Sequence, residues 1–150
     1  KFARLIAVEA KKVSGDTTAP SLRAVMDRAK AENMPKENIE RAVAKGAGAD
    51  GASYEAVLYE TYGPGSVAIL IAALTDNTNR TAQEIKLLLG KHDCSLASPG
   101  SAQWAFSKSG DGYLPNSSVE ISEIDAARLD ALLEALDEHD DVQETYTNAA

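Results

Sequence analysis

The chain has 150 residues and a formal net charge of −8, with 44% hydrophobic and 25% charged residues. That composition is typical of a soluble globular protein, and the length suits one ordinary domain or two small ones. The longest apolar run, Val67–Leu74, is too short to cross a bilayer, and the single cysteine, Cys94, excludes an internal disulfide framework.

The charge is distributed unevenly along the chain. Residues 1–48 hold ten Lys and Arg against six Asp and Glu, a net charge of +4, whereas residues 49–150 hold five against seventeen, a net charge of −12. This asymmetry indicates a basic segment that can meet polyanions, joined to an acidic body that repels them.

Hydrophobic periodicity predicts three helices within residues 1–46. We expect the second helix to begin near Pro20 and the third to open at Pro35, with Gly46 at the C′ position after it. Lysine and arginine side chains project from faces other than the apolar ones. The residues expected to face inward are Phe2, Leu5, Ile6 and Val13 in the first helix, Leu22, Val25, Met26 and Ala29 in the second, and Ile39, Ala42 and Val43 in the third.

A linker is predicted at residues 47–53, which are rich in glycine and alanine and lie where the sign of the charge changes. We therefore expect a basic three-helix domain over residues 1–46. An acidic α+β domain is expected over residues 54–150.

The acidic part alternates β-type runs with two amphipathic helices. Two predicted strands, Ala56–Tyr62 and Ser66–Leu74, flank Gly63-Pro64-Gly65, which favours a hairpin. Two helices packed on one antiparallel or mixed sheet is the economical arrangement, so the fold class is predicted to be α+β. The remaining predicted elements are short strands at Gln103–Ser107, Ser117–Ile121 and Val142–Thr147, and a helix from about Glu123 to His139 that buries Ile124, Leu129, Leu132, Leu133 and Leu136.

A further helix, from about Arg80 to Leu89, follows the polar run Asp76–Asn79. We expect Thr78 or Asn79 to cap this helix and Gly90 to close it. Capping alone accounts for the polar run. Capping combined with an anion or RNA contact at Arg80 is the alternative.

No catalytic, metal or cofactor site is predicted. The G-x-G-x-x-G pattern at Gly46–Gly51 follows a helix rather than a strand, which indicates a linker and not a dinucleotide site. Asp76 could open a calcium loop, but Leu87 occupies the twelfth position, where a bidentate glutamate is required. His92 and Cys94 lack the further ligands of a zinc site.

Four sequence runs occur in order along nearly the whole chain: Asn33–Ala42 (NMPKENIERA), Tyr59–Gly65 (YETYGPG), Asp76–Thr81 (DNTNRT) and Asp140–Asn148 (DDVQETYTN). Together they resemble the YebC/PmpR family, which includes the mitochondrial translational activator of cytochrome oxidase. The resemblance implies a helical first domain, a central α+β domain and a third domain inserted within the central one. It also implies a non-enzymatic regulator of gene expression that binds DNA in transcription or acts on the ribosome in translation.

The chain departs from this family pattern in two places. It opens at Lys1 without the basic glycine-histidine-serine-lysine-tryptophan segment, and the third domain is missing between about Gly110 and Tyr113. Trp104–Gly110 matches the family segment before that domain, and Leu114–Glu120 matches the segment after it. A natural short form, an engineered deletion or the omission of mobile residues would each give this pattern. We favour the omission, which makes the charge of +4 a lower bound.

We predict a bacterial cytoplasmic protein or, alternatively, a protein of the mitochondrial matrix. It is expected to be monomeric, to bind no cofactor and not to associate with a membrane. The first hypothesis is phosphate contact with ribosomal RNA or DNA through the basic helices. The competing hypothesis is an interaction module whose acidic C-terminal face, within Glu120–Glu144, docks a basic partner. An enzyme is the third class of function considered, but the sequence contains no set of residues that would form an active site. The residues predicted to contact nucleic acid are Lys1, Arg4, Lys11, Lys12, Arg23, Lys30, Arg41, Lys45 and, as an outlying candidate, Arg80.

Overall fold

The computed structural model describes residues 1–48, 54–110 and 112–150. Its helices are α1 (Phe2–Lys12), α2 (Pro20–Ala31), α3 (Lys36–Ala47), α4 (Thr78–Lys91) and α5 (Glu123–Glu138). Its strands are β1 (Glu55–Tyr62), β2 (Ala68–Thr75), β3 (Leu96–Ala97), β4 (Phe106–Ser109), β5 (Gly112–Pro115) and β6 (Val142–Thr147). These elements confirm the α+β class. None of the helices in the described ranges is long and apolar enough to span a membrane.

The chain divides into two compact units. The helical unit comprises Lys1–Glu55 and Leu74–Asp76, and the sheet unit comprises Ala56–Ala73 and Asn77–Ala150. Residues 49–53, which make up most of the predicted linker, lie outside the described residues.

The three helices of the helical unit enclose one apolar core, and the residues predicted to face inward belong to it except Leu5, which is half-buried. Pro20 stands in the first turn of α2, and Pro35 is the N-cap of α3. Proline is tolerated at both places because the first turn of a helix does not use its N–H groups. This core contains the buried residues Ile6, Ala10, Leu22, Ala29, Ile39 and Ala42, with Phe2, Val13, Val25, Met26, Met34 and Val43 packed around them.

Gly46 lies inside α3, so the prediction that it follows the helix is wrong. The helix continues to Ala47, and Gly48 is its C-cap. A Cβ atom at Gly46 would lie 2.2 Å from the carbonyl oxygen of Ala7 in α1. The missing side chain therefore allows α3 to pack directly against the backbone of α1.

The sheet unit has a layered structure in which β2 is central. Its four-stranded sheet has the order β3-β1-β2-β6, and β6 runs antiparallel to β2. Ile69 and Ile71 of β2 pack in the core formed with α4 and α5. The alternate residues Ala68 and Leu70 pack against Phe106 of β4. Because both faces of β2 are covered, its sequence is almost uniformly apolar.

The ends of α4 differ from the prediction. The helix begins at Thr78, and its N-cap is Asn77 rather than Thr78 or Asn79. The extended backbone of Asn77 allows its side-chain oxygen to accept the backbone N–H of Arg80 at 3.1 Å. Gly90 does not close the helix, which continues to Lys91.

Two of the predicted short strands are also corrected. Gln103–Ala105 forms a 3₁₀ turn, and the strand begins only at Phe106. Ser117–Ile121 forms no ladder in the structure, and Val119 makes an isolated bridge to Ala149. The partner of β4 is β5, with Ser109 directly opposite Gly112. A hairpin of β4 and β5 therefore occupies the position where the family resemblance places a third domain.

Ile124 of α5 is 75% exposed, although the sequence predicts that it is buried. The buried ridge of α5 consists of Leu129, Leu132 and Leu136, at spacings of three and four residues. Ile124 lies five residues before Leu129 and therefore points away from that ridge. Ile121, just before the helix, packs against the core instead.

Candidate nucleic-acid interface

The predicted contact residues of the helical unit are exposed, with the exception of Arg4. Because the apolar faces of the three helices turn inward, their charged faces turn to solvent. The exposed cations are Lys1, Lys11 and Lys12 at α1, Arg23 and Lys30 on α2, and Arg41 and Lys45 on α3.

Lys11 and Lys12 place two positive charges in the last turn of α1. The Lys12 Nζ atom lies 3.2 Å from the Oε1 atom of Glu9, and the lysine side chain stays largely exposed. Surface ion pairs of this kind contribute at most about 1 kcal/mol to stability. The pair therefore leaves Lys12 accessible to an anionic ligand.

Arg4 is half-buried and makes contacts within its own unit. Its Nη1 atom donates to the carbonyl oxygen of Leu74 at 2.7 Å, and its guanidinium lies 5.3 Å from the centre of the Tyr54 ring. The Lys45 ammonium lies 5.9 Å from the same ring centre and 3.5 Å from the Tyr54 hydroxyl. Arg4 therefore has a structural role, whereas Lys45 contacts Tyr54 and remains exposed.

Arg28 is an exposed cation that the prediction left out of the contact set. Its guanidinium lies 5.6 Å from the centre of the Phe2 ring. A cation–π contact restricts the side chain while the charge stays at the surface. The sequence could have suggested this contact, because Phe2 is the only aromatic residue in α1–α3 with which an arginine could make a cation–π contact.

Arg80, in the sheet unit, is held by two carboxylates. Its Nη1 atom lies 2.6 Å from Oε1 of Glu84, and its Nη2 atom lies 3.0 Å from Oδ2 of Asp141. Desolvation lowers the pKa of the guanidinium, but the attraction of Asp141 and Glu84 outweighs it and raises the pKa above its ordinary value. The structure therefore gives Arg80 carboxylate partners of its own.

Asp141 is only 1% exposed, so it is not available to the acidic docking face predicted within Glu120–Glu144. Its Oδ2 atom accepts the hydroxyl of Thr81 at 2.7 Å in addition to the Arg80 contact. These partners come from α4, about 60 positions earlier in the chain. No local pattern in the sequence could have revealed them.

His139 joins the same group of side chains. Its Nε2 atom lies 3.1 Å from Oε1 of Glu84, and its Nδ1 atom accepts the backbone N–H of Asp141 at 3.1 Å. Ligand atoms of Glu84, His139 and Asp141 lie within 4.8 Å of one another, a spacing that a metal ion could use. However, the Arg80 guanidinium already makes ion pairs with both carboxylates, so a metal ion would have to compete with it. We assign these residues to an ion-pair network, the Arg80 cluster (Arg80, Glu84, His139, Asp141).

Cys94 does not have the properties of a nucleophile. Desolvation and the nearby Asp93 carboxylate raise the pKa of its thiol. Its Sγ atom donates to the carbonyl oxygen of His92 at 3.4 Å. A catalytic cysteine needs the opposite shift toward the thiolate.

Comparison with known proteins identifies the family. The model described as "TACO1/YebC protein N-terminal domain" matches residues 1–49, and "TACO1/YebC second and third domain" matches residues 54–111 and 108–149. The chain belongs to the TACO1/YebC family. The two matches of the second model meet at the β4–β5 hairpin.

Curated members of this family are similar over most of the chain. Three of them are named "Probable transcriptional regulatory protein". The protein of Thermosipho africanus is 44% identical, and the match covers 95% of this chain and 58% of that protein. The protein of Thermotoga petrophila is 45% identical, and the match covers 94% of this chain and 57% of that protein. The protein of Kosmotoga olearia is 48% identical, and the match covers 88% of this chain and 52% of that protein. The chain thus spans a little over half the length of these relatives.

A solved structure shares the fold. It is described as "Crystal Structure of a Conserved Hypothetical Protein Aq1575 from Aquifex Aeolicus". The TM-score is 0.87 at 28% sequence identity, and the match covers 99% of this chain and 87% of that chain.

Proposed function

We propose that the chain is a non-enzymatic regulator of gene expression that binds nucleic acid through phosphate contacts of its helical unit. The observation that carries the proposal is the outward placement of cations on all three helices of residues 1–48, a segment with a net charge of +4. Phosphate contacts supply most of the affinity of proteins that bind nucleic acid without base readout. The names of the family relatives support a regulatory role.

The proposed contact set is narrower than the set that the sequence predicts. Arg80 is omitted because two carboxylates neutralise it, and Arg4 is omitted because it holds Tyr54 and the Leu74 carbonyl. Arg28 is added because it is exposed beside the other cations of the unit's helices. The set is then Lys1, Lys11, Lys12, Arg23, Arg28, Lys30, Arg41 and Lys45.

Ribosomal RNA is the target we propose, with a DNA operator as the alternative. Reading bases in a major groove requires Arg, Asn and Gln side chains together on one helix face. The exposed ridge of α2 instead carries Arg23, Asp27 and Lys30, a mixture that suits phosphate contact better than base readout. The net charge of −12 on residues 49–150 further weakens attraction to a long duplex.

Co-sedimentation with ribosomes over a salt series, run beside a gel shift with duplex DNA, tests this proposal. We expect the protein to pellet with ribosomes at low salt and to be released progressively as salt increases, because phosphate contacts release counterions. Ribosome association without a DNA shift supports action in translation. The reverse result assigns the chain to transcription, and failure of both overturns the nucleic-acid proposal.

A docking module for a basic partner is the second candidate. Asp130, Glu134 and Glu138 lie four residues apart along α5, and all three are exposed. This acidic ridge matches a basic protein surface better than a nucleic acid. Replacement of the three acids by lysine should abolish ribosome association if the ridge docks a basic ribosomal protein. Association should persist or increase if the helical unit makes the contact.

A further inference from the structure

Trp104 is an exposed aromatic side chain in a fixed orientation. It is 69% exposed, yet its indole N–H donates both to the hydroxyl of Tyr62 and to the carbonyl oxygen of Ser101, each at 2.8 Å. The Tyr62 hydroxyl itself donates to the same carbonyl oxygen at 2.5 Å. The polar edge of the indole is therefore satisfied within the protein, while most of the side-chain surface stays exposed to solvent.

The turn that carries Trp104 is ordered by a buried carboxylate. Glu60 is 3% exposed and accepts the backbone N–H groups of Gly100, Ala102 and Gln103 at 2.7, 2.9 and 2.7 Å. Burial of a carboxylate carries a desolvation penalty, which these three hydrogen bonds offset. The buried Glu60 carboxylate thus fixes the conformation of the backbone just before Trp104.

A second support comes from the segment that follows β5. The Asn116 side chain donates to the carbonyl oxygen of Trp104 at 3.1 Å, and its backbone N–H donates to Ala105 at 2.8 Å. Asn116 is also hydrogen-bonded to the Ser107 hydroxyl. Because Trp104 is held from both sides, little conformational freedom is lost when a ligand binds it.

The surroundings of Trp104 differ in charge from the rest of the sheet unit. Residues 94–119 contain only one lysine, Lys108, and one acid, Asp111. The hydrogen-bond partners of the indole N–H are themselves neutral, a tyrosine hydroxyl and a backbone carbonyl oxygen. This is the part of the acidic unit where an anionic polymer meets the least repulsion.

We propose that Trp104 is a stacking platform for an unpaired nucleobase, so that the ligand includes single-stranded nucleic acid. This inference rests on the proposed function and specifies its ligand. Any base can stack on an exposed indole, whereas the paired bases of a continuous duplex are already stacked and cannot. The helical unit supplies phosphate contacts but carries no exposed aromatic residue among its described helices. Within the sheet unit, Trp104 is a residue suited to contact a base.

The test uses the fact that Trp104 is the only tryptophan in the chain. The full chain is titrated with fluorescein-labelled oligouridylate of about 12 nucleotides, a typical single-strand site size, and with a duplex of the same length. Anisotropy of the label reports binding, and an unlabelled titration reports tryptophan emission. We expect oligouridylate to bind and to quench the emission, and the duplex to leave it unchanged. An oligodeoxythymidylate arm distinguishes RNA from DNA as the preferred strand.

Variants separate stacking from general hydrophobic contact. Trp104→Leu keeps an apolar side chain but removes the ring, and we expect about tenfold weaker binding of oligouridylate. Trp104→Phe should retain most of the affinity. Ile124→Ala removes another exposed apolar side chain, at 75% exposure, and should have no effect. Far-UV circular dichroism checks that each variant is folded.

The outcomes are distinguishable. Anisotropy that shows binding without quenching, or with full affinity in Trp104→Leu, overturns the stacking proposal and leaves the proposed function intact. Loss of all oligonucleotide and ribosome binding in the unmodified chain overturns both. Quenching by an apolar or proline-rich peptide but not by oligouridylate assigns Trp104 to a protein partner and overturns stacking.

Discussion

The helical unit and the sheet unit use their cations in opposite ways. In the helical unit the cations outnumber the acids, and Lys11, Arg23 and Arg41 lie on exposed helix faces. In the sheet unit Arg80 faces Glu84 and Asp141, while Arg128 lies 3.6 Å from Asp93 and 3.8 Å from Asp125. The comparison shows that nearby carboxylates engage Arg80 and Arg128 in ion pairs, whereas Arg23 and Arg41 lie on exposed faces of α2 and α3.

The largest expected effect tests the structural side of this comparison. Asp141→Asn should destabilise the protein by about 2–4 kcal/mol, because it removes a buried charge that Arg80 and Thr81 require. Asp140→Asn, at the exposed neighbouring position, should change stability by less than about 0.5 kcal/mol. Urea unfolding followed by circular dichroism measures both. Equal effects would contradict the assignment of Asp141 to the Arg80 cluster.

A smaller effect is expected from two helical glycines, one in each unit. Gly46→Ala should cost about 1–3 kcal/mol because its Cβ would collide with the Ala7 carbonyl. Gly90→Ala in α4 meets nothing within 4 Å and should stabilise the protein by about 0.5–1 kcal/mol. Thermal denaturation of the two variants gives opposite shifts if the packing of α1 on α3 is correct. A stabilising Gly46→Ala would refute that packing.

The smallest effect concerns reactivity rather than stability. Since burial and Asp93 raise the pKa of Cys94, its thiolate should form at higher pH than the thiolate of an unperturbed cysteine. Alkylation by iodoacetamide should therefore be slower than for free cysteine at pH 7.5, and the difference should shrink as the pH rises beyond 9. Rapid alkylation at neutral pH would reopen a catalytic role for this residue.

The parts of the fold that were predicted correctly depend on local patterns. The 3.6-residue period identifies the inward faces of α1–α3, and the apolar run of β2 identifies a buried strand. Two of the errors, at Gly46 and Asp141, depend on contacts between distant segments. Gly46 is explained only by Ala7, and Asp141 only by Arg80 and Thr81.

The candidate site shows the same division. That charged helix faces are exposed follows from amphipathicity, so most cations of the helical unit could be named from sequence. Two contacts could not be named from the sequence: Arg4 with the Leu74 carbonyl, and Glu60 with the turn that carries Trp104. Both join residues far apart in the chain. Sequence patterns therefore identify available charges better than they identify charges already used by the fold.

The central claim is that exposed cations of the helical unit, and not those of the sheet unit, contact phosphate. The most direct test measures the affinity for oligouridylate across a salt series in Lys11→Glu with Lys12→Glu, against Lys86→Glu with Lys91→Glu on α4. We expect the first pair to weaken binding at least about tenfold and to lower the slope of log K against log salt by about 1.4, and the second pair to change neither. Equal behaviour of the two pairs would contradict it.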